Sequence, residues 1–82
     1  MQDLPTLQQG SSSSAVAVVQ RLLVLYGYQS LLGAVDGHFG ANTAKAVTQF
    51  QRDQNLENKD GIVGSITWRA FAYPAGTSAP KI

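Results

Sequence analysis

The chain contains no cysteine. That removes disulfides, thiolate metal sites and cysteine nucleophiles, and says nothing decisive about compartment. Charge is scarce as well: six Lys and Arg stand against five Asp and Glu, for a net charge of +1. Nucleic-acid binding rests on clustered basic side chains, so that class is set aside. There is a single His, at position 38. Zinc takes three or four ligands, and no partner set for His38 can be assembled, so no metal or other cofactor is expected. No apolar run approaches the roughly 20 residues that a membrane-spanning helix needs. Met1 to Gln9 has neither a positively charged start nor a long apolar stretch, so no secretory signal is visible in it.

What is present is a 44% apolar sequence of 82 residues, enough for one small domain. A chain of this size buries only about 60 to 65% of its unfolded surface. Its stability is expected at about 4 to 12 kcal/mol.

The organising feature is a repeat. Asp36-Gly37-His38-Phe39-Gly40-Ala41-Asn42-Thr43-Ala44-Lys45-Ala46-Val47 recurs, from Asp60, as Asp60-Gly61-Ile62-Val63-Gly64-Ser65-Ile66-Thr67-Trp68-Arg69-Ala70-Phe71. Both copies read DGxxGxxTxxA and end in a large apolar residue. Asp-Gly is turn chemistry: the Asp oxygen accepts main-chain N–H groups ahead of it, and Gly takes a positive φ that other residues resist. Gly40 and Gly64 then stand where helices begin, and Thr43 and Thr67 are placed to return their hydroxyls to the turns. A supersecondary unit used twice is the reading.

Around these units the pattern is helical. Ser13 or Ser14 caps a first helix from Ala15 to Tyr26, which Gly27 stops in the left-handed conformation. Its core stripe is Val16, Val19, Leu23 and Tyr26, with Val18, Val24 and Leu25 on the far side. That far side is expected to be covered by Leu4 and Leu7 from the start of the chain and by Leu31 and Leu32 from a loop over Gln29 to Val35. A second helix spans about Ala41 to Gln54 with Ala46, Val47 and Phe50 inward, and Asn55 provides its left-handed stop. A third runs from Ser65 to Ala72 and ends at Tyr73-Pro74. No segment shows two-residue alternation. The expected fold is therefore all-α, a compact three-helix bundle with two repeated Asp-Gly turn plus helix units and little or no sheet. It divides into an N-terminal extension at 1–5, the domain at 6–73, and a tail or linker at 74–82.

The repeat with its flanks, Leu7-x-x-Gly10-Ser11, Val16-x-x-Val19-Gln20-x-x-Leu23-x-x-Tyr26-Gly27-Tyr28, DGxFGxxTxxAVxxFQ from Asp36 to Gln51, and Leu56 with the second Asp-Gly copy, resembles the peptidoglycan-binding domain family of three-helix modules. The resemblance covers about residues 6 to 72. It implies a non-catalytic module that holds a cell-wall hydrolase, attached or as a partner, on peptidoglycan in the bacterial cell wall, periplasm or extracellular space. The chain is expected to be a monomer and, from its charge, to have no nucleic-acid partner. The chain departs from the family pattern at Asn55, where Gly is usual, at Ala41 and Ser65, where Pro is usual, and in a longer first loop.

Candidate ligand-binding residues are Tyr28, Asp36, His38, Phe39, Asn42, Thr43 and Trp68. Each has a plainer reading beside the binding one. Asp36 is a turn acceptor, Phe39 a core residue, and Tyr28 and Trp68 partly buried packing as much as platforms for sugar rings. Gln20 and Gln51 sit at the edges of buried stripes, where amides satisfy loop main chain. A calcium-loop pair is excluded because, with Asp36 or Asp60 at loop position five, position one holds Leu32 or Leu56 and position twelve Thr43 or Thr67, so the oxygen ligands needed there are missing. No nucleophile with a base and no paired carboxylates can be assembled into a catalytic site. The alternative function is a protein-interaction module of the same fold that uses the apolar far side of the first helix.

Overall fold

A computed structural model describes residues 5–72. Among the described residues four helices succeed one another in order: α1 (Ser14–Leu25), α2 (Gln29–Leu32), α3 (Ala41–Asp53) and α4 (Ser65–Ala72). Among the described residues there is no strand, and two isolated antiparallel bridges, Leu7 to Val63 and Ser12 to His38, supply the only β pairing. The stop at Tyr73-Pro74, the tail over 74–82 and the covering role of Leu4 lie outside the described residues.

Local signals account for the helix ends. Ser13 is extended and its Oγ accepts the N–H of Val16 at 3.3 Å, satisfying one of the donors a helix start leaves free. Gly27 follows α1 at φ +94°, and Asn55 follows α3 at φ +53°. The main-chain N–H of Leu56 then bonds back to the Gln51 carbonyl.

Packing obeys the predicted stripes. Val16, Val19 and Leu23 of α1, Ala46, Val47 and Phe50 of α3, and Ala70 and Phe71 of α4 share one core with Leu7, Leu32, Phe39 and Val63. Phe50 and Phe71 stack at 4.4 Å between ring centroids, and Tyr26 stacks on both at 5.7 and 6.2 Å. The Tyr26 hydroxyl donates to the Phe71 carbonyl, tying the end of α1 to the end of α4.

The two repeats fold alike. Asp36 Oδ1 accepts the N–H of His38 at 2.9 Å, and Asp60 Oδ1 accepts that of Ile62 at 3.0 Å. Gly37 and Gly61 both sit at φ +77°. Each turn is held by a buried glutamine from the preceding long helix, Gln20 on α1 or Gln51 on α3. The threonine hydroxyls go to these amides rather than to the turns: Gln20 Nε2 donates to Thr43 Oγ1 at 3.1 Å and Gln51 Nε2 to Thr67 Oγ1 at 3.0 Å. A fully buried amide needs both its ends met, and the threonine is the acceptor within reach.

Two expectations are corrected. The segment Gln29 to Val35 is not all loop, because residues 29–32 close one helical turn that buries Leu32. Four residues are too few to hold a helix by propensity; tertiary burial of Leu32 against α1 and α3 holds this one. The cover foreseen for the far side of α1 is also absent among the described residues. Leu7 and Leu32 are in the main core instead, Leu31 is exposed, and Val18 and Leu25 remain 45% and 77% exposed.

Candidate functional site

The first repeat builds a cleft of about 420 Å³. One wall is the end of α2 with the chain just beyond it, Leu32, Gly33 and Ala34. The other is the first turn of α3, where Ala41, Asn42 and Thr43 come after Gly40. Asp36 and His38 of the Asp-Gly turn complete it.

Three layers of hydrogen bonds hold that turn. The segment Gly10 to Ser13 is zipped along it: the Gly10 N–H donates to the Phe39 carbonyl at 2.9 Å, the Phe39 N–H to the Ser11 carbonyl at 2.8 Å, and the Ser13 N–H to the Gly37 carbonyl at 3.1 Å. From below, Gln20 Oε1 accepts the N–H groups of Asp36 at 3.1 Å and Gly37 at 2.9 Å. Its Nε2 donates to the His38 carbonyl at 3.0 Å and to Asp36 Oδ1 at 3.2 Å. The amide orientation is dictated by these partners, since two are donors and the others acceptors. Finally, Ser12 Oγ and His38 Nδ1 lie 2.7 Å apart, fixing the imidazole on the lip of the cleft.

The His38 N–H, and after it the Gln20 amide, hold the Asp36 carboxyl below the usual carboxylate range. Asp36 is therefore a carboxylate at neutral pH. The proximity of Ser12, His38 and Asp36 does not make an acyl-transfer relay, because Asp36 bonds the main-chain N–H of His38 and not its ring. A triad needs the carboxylate on the imidazole nitrogen opposite the serine. Among the described residues, no three His, Asp or Glu side chains gather as a metal site would require. No helix among them is long and apolar enough to cross a membrane.

Of the seven candidate residues, the structure brings Asp36, His38, Asn42 and Thr43 to this cleft. Phe39 is buried in the core between the Asp-Gly turn and α3. Tyr28 lies elsewhere: its ring meets Phe50 edge-on at 6.0 Å, and its hydroxyl donates to Asp53 Oδ2 at 2.5 Å. Burial and that bond raise its phenol to about 12, and the same bond lowers the Asp53 carboxyl. Trp68 is packed edge-on against Phe71, and its Nε1–H donates to the Pro5 carbonyl at 2.7 Å. The α2 wall of the cleft was not foreseen in the sequence. Gly33, at φ +79° after a pair of leucines, is the one local sign of the chain reversal that forms it.

The sequence matches, over residues 12–71, the family described as "Putative peptidoglycan binding domain". The chain belongs to that family. A protein encoded in the bpoA1 3' region of Kitasatospora aureofaciens is 41% identical to this peptidoglycan-binding domain over 79 residues, covering 95% of the chain and 64% of that relative. The chain thus spans under two thirds of the relative's length. Among solved structures, the SleB N-terminal domain superposes with a TM-score of 0.75 at 33% identity, covering 82% of this chain and 88% of that one. A fused Zn-dependent amidase/peptidase/peptidoglycan-binding domain-containing protein from Clostridium acetobutylicum matches with a TM-score of 0.74 at 32% identity. That match takes in 94% of this domain and 31% of the fused protein.

Proposed function

We propose that this domain is a non-catalytic, monomeric module that binds peptidoglycan through the cleft between α2 and α3, at the cell wall or in the periplasm. There it holds an attached or partner hydrolase on its substrate. The reading is carried by the family match, with four candidate residues converging on one concave surface. His38, Asn42 and Asp36 supply the contacts, and Gln20 keeps the turn that carries two of them in place. A shallow site on a small domain gives modest affinity, which tethering to a neighbour multiplies. The test is a pull-down on purified sacculi. The intact chain is retained, Asn42→Ala and His38→Ala lower retention without lowering the melting temperature, and the turbidity of the sacculi stays constant. Clearing of the suspension by pure protein refutes the non-catalytic assignment.

One observation favours a second surface. Arg21, Val24 and Leu25 of α1 and Val35 line a groove of about 340 Å³, on the side of α1 where Leu25 stays exposed while Val24 packs in part against the core. If a protein partner docks there, Leu25→Ser abolishes that contact and leaves retention on sacculi unchanged.

A further inference from the structure

Peptidoglycan offers three kinds of group to a binding site: neutral N-acetylated sugars, carboxylates of the stem peptides, and free amines where a diamino residue is not cross-linked. The charge of the cleft discriminates among them, provided the cleft is the binding surface proposed above. Its permanent charge is the carboxylate of Asp36, and among the described residues no Lys or Arg lines it. Asp36 Oδ1 is occupied by the His38 N–H and the Gln20 amide. Oδ2 has no hydrogen-bond partner among the described residues. Against this stands the start of α3, where Gly40 brings no side-chain cap. A helix start is equivalent to about half a positive charge, less than the whole negative charge of the carboxylate. The field in the cleft is therefore net negative, favouring a cationic donor and opposing a carboxylate. Leu32, Ala34 and Ala41 add an apolar wall beside it, suited to methylene groups.

We propose that the cleft reads a primary ammonium on a short aliphatic stem, as an uncross-linked diamino residue of the stem peptide presents, with Asp36 Oδ2 as its acceptor and the Leu32 side packing the methylenes. Asp36→Asn isolates the charge, because an Asn oxygen still accepts from His38 and Gln20 and so keeps the turn.

The experiment compares binding of the whole chain to purified sacculi with free amines intact and to the same sacculi after N-acetylation. Acetylation is expected to weaken wild-type binding about tenfold or more, the equivalent of one charge-assisted hydrogen bond. Asp36→Asn should bind untreated sacculi as weakly as wild type binds acetylated ones, show no further effect of acetylation, and melt close to wild type. Equal wild-type binding to both preparations overturns the ammonium reading and leaves the wall-binding function standing. Undiminished binding by a folded Asp36→Asn variant does the same. Absence of wild-type binding to untreated sacculi overturns the function itself, and this inference with it.

Discussion

Replacing Gln51 by Leu tests whether the buried amides are what fasten the repeated turns. Gln51 is fully buried. Its Oε1 accepts the Gly61 N–H at 2.9 Å, and its Nε2 donates to the Ile62 carbonyl at 2.9 Å and to Thr67 Oγ1 at 3.0 Å. Leucine fills a similar volume and meets none of these groups, two of which belong to buried residues. At about 1 to 3 kcal/mol for each orphaned buried group, offset by about 1 to 2 kcal/mol for the more apolar side chain, the net loss is about 3 kcal/mol. That is a quarter or more of the roughly 4 to 12 kcal/mol expected of 82 residues. For a domain of this size it lowers Tm by about 12 to 24 °C. Thermal and urea unfolding followed by far-UV circular dichroism measure it, and a loss below about 1 kcal/mol refutes the latch. Gln51→Glu gives an independent check. Ionised, its second oxygen faces the Ile62 carbonyl, so its folded-state pKa is raised. The variant is then close to wild type at acid pH and loses stability as pH rises through that value. Gln20→Leu should cost as much and also empty the cleft of its positioned turn, whereas Gln51→Leu, while folded, keeps binding sacculi.

Gly37 and Gly61 share φ +77°, so their Ala variants share the left-handed penalty of about 1 to 2 kcal/mol. An added Cβ at Gly37 meets the Ser13 carbonyl at an ordinary 3.6 Å, but at Gly61 it falls 2.9 Å from Thr48 Oγ1 and 3.2 Å from the Ala44 carbonyl. Gly61→Ala should therefore be clearly the less stable of the two in urea titration. Leu7→Ala empties a core position and should cost about 2 to 5 kcal/mol; an unchanged denaturation midpoint contradicts the burial. The carboxyls of Asp36 and Asp53 are lowered on folding, so their contribution is present above the unfolded value of about 3.9 and lost as pH falls below it. Asp36→Asn should reduce that acid sensitivity in a pH series of melting curves. The Tyr28 phenol is raised to about 12, so its contribution is complete below about pH 10 and lost above it. Phenolate absorbance should show a late-titrating component that Asp53→Asn returns toward the ordinary value.

Much of this fold is legible in the sequence because its determinants act within a few residues. Ser13 reaches a helix donor three residues on, Asp36 and Asp60 each reach an N–H two residues on, and Asn55 takes the left-handed stop by its own conformational tolerance. The α1 and α3 stripes come from helical periodicity alone, and so does the assignment of Gln20 and Gln51 to satisfying loops.

What periodicity cannot supply is which of several chemically adequate partners lies within reach once the helices have packed. An aromatic ring serves equally as a sugar platform or a core element. Only the approach of α4 to the start of the chain turns the Trp68 indole to the Pro5 carbonyl, and only the approach of α2 to α3 gives Tyr28 to Asp53. The single turn of α2 exists because burial of Leu32 outweighs a nucleation cost that its four residues cannot meet. The same turn supplies the wall that makes a cleft of the first repeat. The sequence by itself thus determined the Asp-Gly turns, the limits of α1 and α3 and the buried stripes, all set by local hydrogen bonding and side-chain spacing. The tertiary structure decided which candidate residues share a surface, because that depends on distances between segments far apart in the chain.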